Sequence, residues 1–185
     1  TIALARKGMQ VTAVDNLAEY IEEINKTATA ETLPIRTINE NLVNYKADGE
    51  FDLVICMGNS LNFFNEADTL KILKEVGAHL RPGGHLFINT WSLTEIVFNK
   101  FSGNSWSIFG DKKFLNASKI LYQPTRLEST TTIICADGSV EELNGIDYLY
   151  SINEMDKMLT EAGLSLKEVY SIPGKKLFTA GEPRA

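Results

Sequence analysis

Phe51-Asp52-Leu53-Val54-Ile55-Cys56-Met57-Gly58-Asn59-Ser60-Leu61 says more about architecture than any other stretch of these 185 residues. From Phe51 to Met57 the run is apolar but for Asp52, without polar alternation, as a strand buried on both faces of a parallel sheet would be. Downstream, Leu70, Leu73, Gly77 and Leu80 recur at helical spacing and predict a helix from about Glu66 to Leu80. Arg81-Pro82-Gly83-Gly84 stops that helix and turns the chain into a second apolar strand, His85 to Trp91. Strand, helix, strand in this order is a βαβ unit, with parallel strands and a right-handed crossover.

The same alternation precedes it. Gln10 to Asp15 is a short β-rich run ending in an acid, and Leu17, Ile21, Ile24 and Ala28 then fall at helical spacing, with Glu19, Glu22, Glu23 and Lys26 largely elsewhere. Pro34 to Ile38 is a further short strand candidate. The opening Thr1-Ile2-Ala3-Leu4-Ala5-Arg6-Lys7-Gly8 reads as the last turns of a helix closed by glycine, with no start signal before it. Residues 1–92 thus predict an α/β, doubly wound, mostly parallel sheet.

After residue 92 the character changes. Thr94 to Phe101 predicts a short helix, and Ser102 to Gly110 a glycine- and serine-rich turn region carrying Trp106. Phe114 to Tyr122, Leu127 to Cys135 and Val140 to Tyr150 read as strands, with Ala136-Asp137-Gly138-Ser139 as a hairpin turn between the last two. These make residues 93–149 a small antiparallel β-sheet inserted into the α/β core. Met155, Met158, Leu159 and Ala162 restore the helical period, with Ser151 and Glu154 as a capping box and Gly163 as the stop. Two short strands, Leu166 to Ile172 and Lys176 to Ala180, joined by Pro173-Gly174, complete a core of residues 1–92 and 150–185 that is N-terminally incomplete.

Composition narrows the partners. A net charge of −6 and a pI near 5.0 argue against nucleic acid, which is held by lysine and arginine clusters. No apolar stretch approaches the ~20 residues of a membrane span, and no signal peptide is visible. Cys56 and Cys135 each sit in an apolar run, away from any metal-ligand spacing, and read as free buried thiols in a reducing cytoplasm. A small-molecule or protein partner fits better than a polyanion, no metal is expected, and oligomeric state is not encoded.

In an open α/β sheet, ligands bind beyond the carboxyl ends of the strands. Those positions are Asp15 and Asn16, Asn41 and Leu42, Met57 to Leu61, and Thr90 to Ser92. Asp15 suits a ribose, because a carboxylate accepts hydrogen bonds from both hydroxyls; it also suits the start of the following helix as a cap. Alone it does not separate a nicotinamide cofactor from an adenosyl sulfonium one.

The run from Phe51 to Leu61, the following helix, and Leu80-Arg81-Pro82-Gly83-Gly84-His85-Leu86 together resemble the class I S-adenosylmethionine-dependent methyltransferases. The opening Thr1 to Gly8 is similar to the helix that follows that family's glycine-rich loop, which is expected upstream of Thr1. Gly58-Asn59-Ser60-Leu61 is similar to small-molecule members such as the glycine N-methyltransferase group. The resemblance implies S-adenosylmethionine as cofactor, with Asp15 on the ribose and Asn16 along the adenosine. Asn41 stands where the family usually has an aspartate for the adenine amino group, and its amide oxygen can serve there. Leu42 would pack on the adenine, and Met57 and Gly58 would line the methionine portion. Asn59, Ser60 and Asn62 would face the transferred methyl.

The activity so implied is methyl transfer to N or O of a small-molecule acceptor. Displacement at a sulfonium can run on positioning and desolvation, so a dedicated catalytic residue need not exist; Asn59, Ser60 and Tyr150 are the candidates. Tyr148, Tyr150, Trp91 and Trp106 could present aromatic faces to a cation, or serve only as packing. His79, in a last helical turn, and His85, at the far end of its strand, are not expected in catalysis. Glu141 and Glu142 read as a solvated face. The inserted sheet is the expected acceptor-recognition element. The alternative is a non-catalytic binding or regulatory module on the same fold, motivated by Asn41 and the missing glycine loop. A nicotinamide oxidoreductase would share Asp15 but not the Pro-Gly-Gly turn.

Overall fold

The computed structural model describes residues 1–171, 176–179 and 181. The chain forms two compact units, Thr1–Asp48 and Gly49–Ala185.

In the first unit, α1 (Ile2–Ala5) ends at Gly8, whose φ of +85° is the left-handed stop the sequence implies. β1 (Val11–Asp15), α2 (Ala18–Glu31) and β2 (Ile35–Asn39) follow as a βαβ unit. The two strands pair in parallel, from Val11 opposite Ile35 to Asp15 opposite Asn39. α2 buries Ile21 and Ala28 of the expected stripe. Leu17 does not join them: it is the N-cap residue and is exposed, its backbone N–H taken by the Asp15 carboxylate.

The second unit opens with β3 (Phe51–Cys56), a short 3₁₀ turn at Ser60–Phe63, α3 (Glu66–His79) and β4 (Leu80–Ile88), again a parallel βαβ unit. Asn65 caps α3 by accepting from the Asp68 N–H at 3.0 Å. β3 is less enclosed than its composition implies. Leu53 and Ile55, which share one face of the strand, are exposed while Val54 and Cys56 on the other face are half-buried, so β3 is covered on one face only among the described residues.

The Arg81-Pro82-Gly83-Gly84 segment also departs from expectation. It is a bulge inside β4 rather than a turn before it: Phe51 pairs with Leu80 and Leu53 already with His85. Gly83 supplies φ +83°, and a Cβ on Gly84 would lie 2.9 Å from the Arg81 carbonyl oxygen and 3.2 Å from that of Asp52. Arg81 fastens the bulge to β3 by two hydrogen bonds to the Asp52 carboxylate, at 2.9 and 3.0 Å. β4 ends at Ile88, short of Trp91.

α4 (Thr94–Lys100) leads into a four-stranded antiparallel sheet in the order β5-β6-β7-β8: β5 (Asn104–Phe109), β6 (Lys112–Tyr122), β7 (Thr125–Ile134) and β8 (Val140–Tyr148). Three of these strands match the expected antiparallel sheet. β5 does not, since Ser102 to Gly110 was expected to be a turn region. The missed signal is Gly110-Asp111, a two-residue hairpin turn with Gly110 at φ +62°, which pairs Phe109 with Lys112.

α5 (Ile152–Glu161) has the Ser151/Glu154 capping box and ends at Gly163, φ +77°. Leu73 of α3, Leu93, Ile96 of α4, Leu149, Met158 and Leu159 form the core of this unit. α3 and α5 meet where Gly77 lies against the Ala162 carbonyl. The two closing strands reduce, among the described residues, to a single antiparallel bridge, Tyr170 to Leu177; Pro173-Gly174 lies outside those residues. Both cysteines are free and half-buried rather than fully buried.

Candidate functional site

Two consecutive left-handed residues, Gly58 (φ +77°) and Asn59 (φ +68°), turn the chain sharply at the carboxyl end of β3. Glycine adopts this conformation freely, and asparagine is the side chain that tolerates it best. The turn directs the Asn59 amide inward, where it is 1% exposed. Its oxygen accepts from Thr90 Oγ1 at 2.7 Å and from the Trp91 and Ser92 N–H groups at 3.1 Å. Its nitrogen donates to Ser92 Oγ at 2.7 Å and to Asp147 Oδ1 at 3.1 Å. Asn62, 4% exposed, accepts from Thr90 Oγ1 at 2.8 Å and donates to the carbonyls of Tyr148 (2.7 Å) and Ser92 (3.2 Å). These two amides tie the loops after β3 and β4 to the end of β8. A densely bonded buried network of this kind favours one arrangement of its loops.

Asn59 and Asn62 were expected to face a transferred methyl; the structure shows where their amides bond instead. Both amides are spent within the protein, on partners supplied by β4's loop and the antiparallel sheet. Ser60 Oγ donates to the Met57 carbonyl at 2.9 Å and so braces the same turn. Met57, 51% exposed, and Gly58 present the outward surface, and a Cβ built on Gly58 would meet nothing within 4 Å.

Tyr150 is also turned inward. It is 7% exposed, and its hydroxyl donates to the Phe64 carbonyl at 2.8 Å. Burial pushes its pKa up to about 12. It is thus a poor base at neutral pH, and it pins the turn before α3 to the start of α5. Because the folded pKa is raised from 10, stability is lost as pH rises from about 10 to about 12, where the unfolded chain ionises first. Tyr150→Phe should flatten part of that alkaline loss in urea melts taken at successive pH values; an unchanged slope would deny the burial effect.

In the first unit, Asp15 does what a helix-start residue does, accepting from the Leu17 N–H on Oδ1 at 2.9 Å. Its other carboxylate oxygen has no partner among the described residues. Asn39, opposite Asp15 in the ladder, donates to the Asp15 carbonyl at 2.9 Å. Asn16 is exposed beside it. Asn41 closes its own turn, its amide oxygen accepting from the Val43 N–H at 3.0 Å, and Leu42 is half-buried next to it.

Asp147 is the functional candidate that sequence reasoning missed. It is half-buried near the end of β8, and burial pushes its carboxyl above the usual carboxylate range while the Asn59 hydrogen bond opposes that. Its only sequence signal was an acid on the half-covered face of a strand. His79 bonds within its own helix, Nδ1 lying 2.9 Å from the Glu75 carbonyl oxygen, and His85 is exposed. Trp91, Trp106, Glu141 and Glu142 are exposed. Glu95, in the cleft where Phe98 meets Tyr122 edge-on at 6.4 Å, is occupied with the Ile152 N–H at the start of α5.

Among the described residues, no helix is long and apolar enough to cross a membrane, and no cluster of metal-ligating side chains occurs. A model of the methyltransferase domain family matches residues 1–84. Over 92 residues the chain is 29% identical to a glycine/sarcosine N-methyltransferase of Halorhodospira halochloris, covering 48% of this chain and 34% of that one. Over 98 residues it is 30% identical to a ubiquinone biosynthesis O-methyltransferase of Xanthomonas campestris pv. campestris (strain B100), covering 52% and 40%. The chain thus spans between a third and two fifths of the length of these curated relatives. An S-adenosylmethionine-dependent methyltransferase from Clostridium acetobutylicum ATCC 824 superposes with a TM-score of 0.82 at 17% identity, over 95% of this chain and 72% of that one.

Proposed function

We propose that this chain, which has the class I methyltransferase fold and whose residues 1–84 match a model of the methyltransferase domain family, transfers methyl groups from S-adenosylmethionine to N or O of a small molecule. The observation that carries the reading is the coincidence of that family match with an open, glycine-lined turn at the end of β3. When bound, the cofactor supplies a sulfonium methyl group for in-line displacement, and its thioether leaves without needing a proton.

The residues present fit such a group. Asp15 has a carboxylate oxygen to spare for ribose hydroxyls. Asn16, Asn41 and Leu42 are the further candidates of the first unit for the adenosine. In the second unit Met57 and Gly58 offer a surface that no side chain obstructs. Asn59, Ser60 and Asn62 act from behind, holding that surface in one conformation. The inserted antiparallel sheet, residues 93–149 with its neighbours, is assigned acceptor recognition. Two free cysteines support a reducing, cytoplasmic setting, and the net charge of −6 supports a partner other than nucleic acid.

Calorimetric titration of S-adenosylhomocysteine into the full-length protein tests the reading, with near one-to-one binding expected. Asp15→Ala should weaken that binding by about 1–3 kcal/mol, the loss of hydrogen bonds to a charged group. Unchanged affinity would remove Asp15 from the site. Binding without turnover on broad acceptor pools would instead identify a non-catalytic module.

A further inference from the structure

We propose that Asp147 is the acceptor-side catalytic residue, and that the acceptor it receives is a protonated amine. The assignment rests on the methyltransferase reading above and names the substrate class of that same site.

The fold itself has little use for the Asp147 carboxylate. Its Oδ1 accepts from Asn59 Nδ2, and Oδ2 has no partner among the described residues. Among the described residues no salt bridge reaches it. On β7, Arg126 and Glu128 project to the opposite face of the sheet and pair with each other at 2.9 Å. The 3₁₀ turn at Ser60–Phe63 has no titratable side chain, and on β8 itself Glu141 and Glu142 lie at the far end and Tyr148 faces the other way. A half-buried carboxylate with no cation costs stability, and such groups persist where a ligand supplies the missing charge.

Position and neighbours point to the same ligand. Through Asn59, Asp147 stands next to Gly58, the bare turn assigned to the cofactor. The sheet face it shares is mixed: Leu127 of β7 stands opposite Asp147 with Ile120 of β6 beyond it, and Ser129, Thr131, Asn116 and Ser118 lie farther along, so Asp147 is the charged group beside an apolar pair. An ammonium matches the carboxylate, and the apolar pair beside it matches the carbon frame of an amine. In the step so assigned, the acceptor's N–H bond breaks and the proton passes to Asp147. The freed nitrogen lone pair forms the N–C bond to the methyl, and the C–S bond breaks with its electron pair remaining on sulfur. Asp147 then returns the proton to solvent.

Asp147→Asn is the informative variant, because the new amide oxygen still accepts from Asn59 and leaves the loop in place. Affinity for S-adenosylhomocysteine should be unchanged. Labelled methyl transfer to amines, tested as glucosamine against glucose and ethanolamine against ethylene glycol, should fall by about 10²-fold or more, with loss of the limb of the pH–rate profile that reports the base. The thermal midpoint should not fall. Burial raises the Asp147 pKa in the fold, so its charge costs stability at neutral pH, and the gap between variant and parent should close as pH drops toward the ordinary value of 3.8. Methylation confined to the alcohols, or amine methylation surviving in Asp147→Asn, overturns the assignment. So does a marked loss of thermal stability, which would make Asp147 structural. A parent protein that binds no S-adenosylhomocysteine overturns the methyltransferase reading itself.

Discussion

Asn59→Ala is expected to lower the unfolding free energy by about 3–5 kcal/mol, a large share of the stability of a domain this size. The substitution removes an amide that is 1% exposed and its bonds to Thr90 Oγ1, the Trp91 and Ser92 N–H groups, Ser92 Oγ and Asp147, although Thr90 Oγ1 keeps Asn62 and the Ser92 N–H keeps Thr90 Oγ1. Each buried group left without a partner costs about 1–3 kcal/mol, though water entering the small cavity recovers part of that sum. A second effect comes from the backbone. Asn59 has φ +68°, where alanine is strained by about 1–2 kcal/mol and glycine is not. Asn59→Gly should therefore be less damaging than Asn59→Ala by about 1 kcal/mol despite losing the same hydrogen bonds. Urea unfolding of both variants measures the two contributions. A loss below ~1 kcal/mol in Asn59→Ala would show that the network is not the device that fixes the turn.

Gly77→Ala is the second large effect, and here two physical arguments disagree in sign. Intrinsic preference alone makes the exchange favourable by about 0.5–1 kcal/mol inside a helix. The tertiary structure makes it unfavourable, because a Cβ at residue 77 would sit 2.2 Å from the Ala162 carbonyl oxygen. That oxygen belongs to backbone just beyond α5 and cannot rotate aside, so the two helices must separate. Overpacking of this kind typically costs about 1–3 kcal/mol, and we expect it to win. A fall in the thermal midpoint is the expected result; a rise would mean that α3 and α5 lie farther apart than described.

Much of the architecture was legible along the chain because it depends on short-range chemistry. Helical and strand periods, the Ser151/Glu154 box, the Gly8 and Gly163 stops and the Asp137-Gly138 turn act within a few residues, and each appears where the sequence implied. β5 was missed although its signal, Gly110-Asp111, is equally local; the glycines and serines around Trp106 read as loop until pairing with β6 gave them a partner. The Arg81 to Gly84 segment shows the opposite failure. Proline and glycines read as a turn, but Arg81 to Asp52 bonds and the ladder with β3 make it a bulge.

Strand-end position picked out Asp15 in the first unit and Met57 and Gly58 in the second as candidates, and in the structure each leaves a group or surface open. What no local pattern encodes is which partner a polar side chain meets. Asn59 and Asn62 looked like residues aimed at a ligand until residues 28 to 88 positions away claimed their amides. Asp147 drew no notice until the antiparallel sheet carried it beside Asn59. Secondary structure and strand-end positions follow from interactions between near neighbours in the chain. The direction and pairing of buried polar groups are set by packing between distant segments, and these only the folded molecule brings together.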